Sequence, residues 1–211
     1  MTQPIPSSPA TGADLLVLHA LRYAGFSGLA AVASVTGLPE PDVESELIDL
    51  AVAGLVTHTA GDFGGWGLTE TGRAVDAERI ADELATVGAR PAVTAAFERF
   101  LVLNPELLDL CAAWQLRPVD GVMTLNDHTD PAYDLRVLRR FLEFDRRAEP
   151  VCAELSTALP RFHRHRVRLT DALARAEAGD RRYLTEHTSS YHGVWFQLHE
   201  DLLVTLGIPR H

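Results

Sequence analysis

The chain has 211 residues, 46% hydrophobic and 23% charged, which is enough apolar material for one large globular domain or two modest ones. Its 19 basic residues, all Arg, stand against 29 Asp and Glu, and the formal net charge of -10 argues against a nonspecific binder of nucleic acid or membrane surfaces. No segment approaches the roughly 20 consecutive apolar residues of a membrane span, so we expect a cytoplasmic protein without membrane association.

The first part of the chain predicts three helices, a β-hairpin and a fourth helix. Residues 1–12 are rich in Pro and Ser and predict a flexible tail. Three helical patterns follow, each ending at a glycine, over residues 13–25, 27–37 and 41–54. Ser27 is placed to cap the second of them. The extended runs LVTHT and GLTETGRA flank the glycine-rich turn AGDFGGW and predict a hairpin, after which an amphipathic helix runs from Thr71 to Thr86.

This order of elements, with "GLV" opening the first hairpin strand and "LTETGRA" closing the second, resembles the MarR-like winged-helix family over residues 13–85. The resemblance implies a winged helix-turn-helix domain over residues 13–90, a transcriptional regulator that binds DNA, and a homodimer. By that resemblance, the residues expected to contact DNA or another partner are Pro41, Asp42, Glu44, Ser45, His58, Gly64, Gly65, Trp66 and Arg73.

The charge of the third helix conflicts with that expectation. Between Leu38 and Trp66 there is no Arg or Lys, whereas six residues are acidic, namely Glu40, Asp42, Glu44, Glu46, Asp49 and Asp62. Residues 1–90 as a whole hold 4 Arg against 12 Asp and Glu. DNA binding draws much of its affinity from Lys and Arg contacts to phosphate, so DNA is disfavoured as the partner. The alternative is a winged helix that binds a basic protein surface.

The second part of the chain predicts an all-α bundle over residues 91–211, serving as a sensing or dimerisation domain. Gly88, Arg90 and Pro91 mark the boundary. Asn104 and Pro105 are expected to end one helix and cap the next. After a polar insert, three further helical patterns cover residues 135–155, 159–180 and 181–207.

Two clusters in this second part are candidates for ligand binding. The insert NDHTDPAYD contributes Asn126, Asp127, His128, Asp130 and Tyr133, which either present groups to a ligand or form a turn in which Asp130 caps the next helix. The last helical pattern contributes Tyr191, His192, Trp195 and His199, which either belong to the core around Trp195, Phe196 and Leu198 or line a pocket for an organic or anionic ligand. His192 and His199 lie two helical turns apart, too far for one metal ion, so no metal is expected.

An arginine run offers a third candidate. Arg161, His165 and Arg168 share one helical face, which is either solvated or complementary to a small anionic ligand. We expect Cys111 and Cys152 to be reduced and buried. No phosphate-binding loop or nucleophile motif is present, so we expect neither catalytic residues nor a cofactor. A further alternative for the function is a small helical enzyme that uses its histidines.

The stretches WQLRP, NDHTDPAYD and YHGVWFQLHEDLLVTLG also resemble a helical region attached to pyruvate phosphate dikinase-like, phosphoenolpyruvate-utilising enzymes, over roughly residues 95–208. This resemblance implies a regulatory or substrate-sensing module. The chain lacks the ATP-grasp and phosphohistidine domains of such enzymes, so their phosphotransfer chemistry is not implied. A regulator of a phosphotransfer enzyme is the corresponding alternative.

Overall fold

The computed structural model describes residues 11–61 and 64–209, which are mostly helical with two small antiparallel hairpins. The elements in chain order are α1 (Ala13–Ala24), α2 (Leu29–Thr36), α3 (Glu40–Val52), β1 (Val56–Thr59), β2 (Gly65–Leu68), α4 (Glu70–Thr86), α5 (Arg90–Gln115), β3 (Leu116–Val119), β4 (Val122–Leu125), α6 (Pro131–Ala158), α7 (His163–Glu177) and α8 (Tyr191–Leu206). Residues 1–10 of the predicted tail and Asp62 lie outside the described residues. Within the described part of the chain, no helix has the length and apolarity needed to cross a membrane.

Helices α1 to α3 and the first hairpin enclose one apolar core, built around Leu18, Val43 and Leu47. Strand β1 pairs antiparallel with β2, and Ser27 adds a single bridge to Trp66 of β2. The prediction that Ser27 caps α2 was wrong: α2 begins at Leu29, so the capping position is Gly28, which has no side chain to accept a hydrogen bond, and the Ser27 main chain pairs with Trp66 instead.

The start of α4 is fastened to the first hairpin at the "LTETG" motif. The Thr69 hydroxyl caps α4 by accepting from the Gly72 amide at 2.9 Å, and it donates to the Gly54 carbonyl. A Cβ on Gly72 would lie 1.9 Å from the Leu55 carbonyl oxygen. The close approach of helix to strand therefore requires glycine here.

The second half packs α5 to α8 around aromatic side chains, including Phe100, Phe144 and Trp195. Helix α5 runs unbroken through Pro105, so the predicted boundary at Asn104 was wrong. A mid-helix proline costs about 3 kcal/mol, but Phe100 before it and Leu107 after it are both buried on the face toward the bundle core. Burial on both sides of the proline outweighs that cost.

The prediction of an all-α second half was also wrong, because strands β3 and β4 form a hairpin between α5 and α6. Its two-residue turn has positive φ at Asp120 (51°) and Gly121 (82°), the conformation that an Asp-Gly pair favours. Helix α8 begins only at Tyr191, since residues 181–190 form a short 3-10 helix and turns. Cys111 and Cys152 are free and buried, and burial raises the pKa of each thiol to about 12.

The two halves meet along an interface in which α1 and α4 pack against α8, and α2 packs against α7. Among the described residues, most of the buried Asp, His and Arg side chains lie at this interface.

Candidate functional site

A network of buried polar side chains lies where α1 and α4 meet α7 and α8. The imidazole of His19 stands between two carboxylates, with its Nδ1 3.0 Å from Asp76 Oδ1 and its Nε2 3.0 Å from Asp201 Oδ1. All three side chains are at most 2% exposed. Since both ring nitrogens face acceptors, the geometry fits the imidazolium form, which donates through both.

Arg161 and His165 complete the network from the α7 side. Arg161 donates to Asp201 Oδ1 at 2.7 Å, to Glu83 Oε2 at 3.0 Å and to the Thr205 hydroxyl at 2.6 Å. His165 Nε2 lies 2.8 Å from Asp201 Oδ2. The carboxylate of Asp201 therefore collects hydrogen bonds from three basic side chains.

Of the two alternatives predicted for Arg161, His165 and Arg168, the solvated face was wrong. The side chains of Arg161 and His165 are 3% exposed, and Arg168 is 5% exposed. The charges are buried because α7 packs against the first half of the molecule, a contact that the periodicity of α7 alone does not show.

The network shifts the pKa of its members. Burial alone would raise the pKa of Asp201, but the charge of Arg161 and the charge and hydrogen bond of His19 hold it well below its usual value. For His19, burial and Arg161 lower the pKa, yet the two facing carboxylates outweigh them and raise it. Burial lowers the pKa of His165, whose Nδ1 has no hydrogen-bond partner among the described residues.

This network suits coupling of the two halves better than chemistry on a substrate. Its side chains come from α1, α4, α7, α8 and the short 3-10 helix Pro160–Phe162, and they hold these elements together in a dry environment, where each charge needs its partner. No trio of His, Cys, Asp or Glu in the described part of the chain is arranged to hold a metal ion.

The exposed surface of α3 is the second candidate region. Pro41, Asp42, Glu44 and Ser45 are all exposed there, as the sequence predicted. The same helix exposes two apolar side chains, Ile48 at 51% and Val52 at 85%. The face thus combines carboxylates with apolar area.

Most of the hairpin residues predicted to contact a partner are less exposed than those of α3. His58 is exposed and its ring lies tilted against the Trp66 ring, with centroids 4.6 Å apart, while Trp66 is half-buried and pairs with Ser27. Gly65 is buried against the Phe26 ring, and Gly64 is half-buried. Of these four hairpin residues, only His58 is exposed.

The four arginines of residues 1–90 do not neutralise α3. Arg79 pairs with Asp14 at 2.7 Å, and Arg90 donates to a main-chain carbonyl at the end of α8 at 3.2 Å. Arg22 and Arg73 line a cleft against the C-terminal end of α8. The α3 surface is left with carboxylates and no cation of its own.

The polar groups of the insert are engaged within the fold. Asn126 donates to the Trp114 carbonyl at 2.9 Å and to buried Asp134 at 3.0 Å, and His128 contacts the same carboxylate while lying against the Trp114 ring. Asp130 caps α6. These contacts hold the second hairpin against α5 and α6.

Two further insert residues make similar contacts. Tyr133 donates to the carbonyl oxygens of Ala113 and Leu116, and Asp127 accepts from Arg117 at 2.8 Å. The insert as a whole anchors the hairpin.

The α8 cluster is largely core. Tyr191 is fully buried and donates to Asp145 at 2.9 Å, and Trp195 is 2% exposed and donates to Asn104 at 3.0 Å. Phe196, expected in the core, is 47% exposed. The predicted stripe of Trp195 and Phe196 therefore divides between interior and surface, since adjacent helical positions point about 100° apart.

Two histidines of the α8 cluster lie at the edge of the core. His192 is half-buried, and burial lowers its pKa. His199 stacks near Phe97 and Phe100, with ring centroids 6.1 and 5.3 Å away. The ring contacts make His199 part of the packing at this edge of the core.

Sequence reasoning missed most of the buried network. His19, Asp76, Glu83 and Asp201 were not among the candidate residues predicted from the sequence. The available signal was the presence of ionisable residues at positions whose helical neighbours are apolar, such as His19 between Leu18 and Ala20.

Comparisons with protein-family models, with curated proteins and with solved structures find no match to this chain.

Proposed function

We propose that the protein is a regulator in which residues 13–90 form a winged-helix domain and residues 91–211 form a helical sensing or dimerisation domain. The order of elements supports the first assignment: helix α1, the short bridge at Ser27, helices α2 and α3, the β1–β2 hairpin, and then α4. This is the order in which a winged helix places its third helix and its hairpin on one side.

We propose further that α3 docks on a basic surface of a protein partner. The observation that carries this proposal is the exposed face of α3, where carboxylates and the apolar side chains of Ile48 and Val52 stand without any Arg or Lys. Carboxylates complement a basic surface, and the apolar pair supplies area to desolvate. The resemblance of residues 95–208 to a module of phosphotransfer enzymes favours such an enzyme as the partner.

The buried network supports a regulatory role. It ties α1 and α4 of the winged helix to α7 and α8 through His19, Asp201 and Arg161. A change in the packing of the second half would therefore reach the helices that carry α3.

A DNA-binding regulator of the MarR-like type is the second candidate, favoured by the order of elements alone. It requires phosphate contacts from cations, and the arginines of the first half are directed elsewhere.

Charge reversal on α3 separates the two candidates. The variant D42R/D49R places two arginines on the exposed face of α3, and E98R/D109R makes the same change in charge at exposed positions of α5. Circular dichroism checks that both variants fold. We expect the wild-type protein and E98R/D109R to capture the same stoichiometric partner from native lysate, and D42R/D49R to lose it.

The DNA-binding candidate predicts that the D42R/D49R substitutions strengthen binding to DNA. The wild type would bind a duplex from its own promoter at about 50 mM salt, with an affinity that falls as salt rises, and D42R/D49R would bind more tightly. Retention of the partner by D42R/D49R would rule out docking through α3.

A further inference from the structure

Three arginines follow one another along a single stripe of α7. Arg164, Arg168 and Arg175 share this stripe with one carboxylate, Asp171, because spacings of four, seven and eleven residues return to the same side of a helix. Like charges at such spacing repel one another. The stripe therefore carries an excess of positive charge that the helix itself does not balance.

The stripe lines a pocket of about 120 Å³ between α2, α7 and the segment after α7. Ser34 of α2 lies on one side, and Tyr183 and Ser189 lie on the other. Drug-sized ligands occupy pockets of about 300–1,000 Å³, so this pocket has room for a small polar group only.

The outer two arginines are held by hydrogen bonds. Arg164 donates through Nε and Nη2 to the Ser34 carbonyl oxygen, at 3.1 and 2.8 Å. Arg175 donates to the Tyr183 hydroxyl at 3.0 Å, and its guanidinium lies 4.9 Å from the centre of the Tyr183 ring. Both guanidinium groups are thereby fixed at the wall of the pocket.

Arg168, between them, lacks such partners. The residue is only 5% exposed, and its Nε and Nη1 have no hydrogen-bond partner among the described residues. A buried guanidinium without an acceptor is costly, since its charge and its N–H groups have lost water. An anion in the pocket would supply the acceptor that this guanidinium lacks.

We propose that this pocket binds a phosphate group, either as inorganic phosphate or as the phosphate end of a small monoester, with Arg168 as its central donor. Three arginines and one aspartate leave a formal excess of two positive charges, which matches a phosphate dianion. Arginine is suited to this group because its planar fork presents two N–H donors to two oxygens. The small volume accepts the phosphate and leaves an ester substituent directed outward.

The site joins the two halves of the molecule. Arg164 reaches the main chain of α2, whereas Tyr183 and Ser189 belong to the segment between α7 and α8. Phosphate bound at Arg168 stabilises the contact between α2 and α7, and this conclusion is independent of what α3 binds.

Calorimetric and thermal titrations of the full chain test the proposal. The probes are inorganic phosphate and methyl phosphate, with sodium chloride at matched ionic strength as the reference. We expect one site per chain and a rise in Tm above that in chloride. Tighter binding of methyl phosphate would identify the natural ligand as a phosphate ester, and tighter binding of inorganic phosphate would identify it as the free ion. Either result supports the site.

Two variants and one control locate the binding. R168Q and R175Q should each weaken phosphate about tenfold or more, whereas R139Q, at an exposed position of α6, should leave it unchanged. R175Q changes an exposed residue, so it serves if R168Q does not fold. No stabilisation of the wild type beyond chloride, or equal binding by wild type and R175Q, would overturn the proposal.

Discussion

Replacing Asp201 with asparagine tests whether the two halves are held together by charge. The carboxylate accepts from His19, Arg161, His165 and Thr205, and its side chain is 2% exposed. D201N keeps the size of the side chain but removes the charge and turns one acceptor into a donor. Removing one partner of a buried ion pair costs about 3–5 kcal/mol, because the remaining charges are left uncompensated.

The loss can be measured by urea and thermal unfolding. In a chain of this size a loss of about 3–5 kcal/mol lowers Tm by about 6–20 °C. The control D109N removes the same charge from an exposed position of α5 and should change the free energy of unfolding by no more than about 0.5 kcal/mol. A loss of less than about 1 kcal/mol for D201N would refute the view that this network couples the halves.

Three further changes test other parts of the structure. The folded structure raises the pKa of His19, so the stability that its charged form contributes is complete below the unfolded pKa of about 6.5 and is lost as pH rises through the folded pKa. The difference in unfolding free energy between wild type and H19Q should therefore be larger at about pH 6 than at about pH 9. An equal difference at the two pH values would contradict an imidazolium at His19. G72A puts a Cβ 1.9 Å from the Leu55 carbonyl oxygen and should cost about 1–3 kcal/mol in urea unfolding, whereas a neutral effect would show that α4 can move away. D130A removes the cap of α6 and should lower the urea midpoint by the equivalent of about 1 kcal/mol, with an unchanged midpoint counting against the cap.

Local signals in the sequence predicted much of the secondary structure. The glycines after α1, α2 and α3 and the glycine-rich turn of the first hairpin predicted elements that the structure contains. These features act through the backbone of a few neighbouring residues, so they can be recognised without the rest of the chain. The acidic character of α3 is equally a property of the sequence, and the exposure of Asp42 and Glu44 agrees with it.

Some local signals were present but were outweighed or overlooked. Pro105 predicted a helix boundary, yet the apolar face of α5 continues on both sides of it. The Asp-Gly pair at 120–121 favours the turn of the second hairpin, but this segment was predicted only as a polar insert. A proline or a turn pair gives a local preference, and packing of the neighbouring residues decides whether it prevails.

The sequence by itself determined the helical periodicity, the turns and the net charge of each region, because all of these depend on residues close together in the chain. Only the tertiary structure decided which charges are buried. His19 and Asp201 are 182 positions apart and meet at 3.0 Å, and Arg168 is only 5% exposed in a molecule where α7 packs against α2. The cost of burying a charge depends on what surrounds it, and the pattern of one helix carries no information about the helix that covers it.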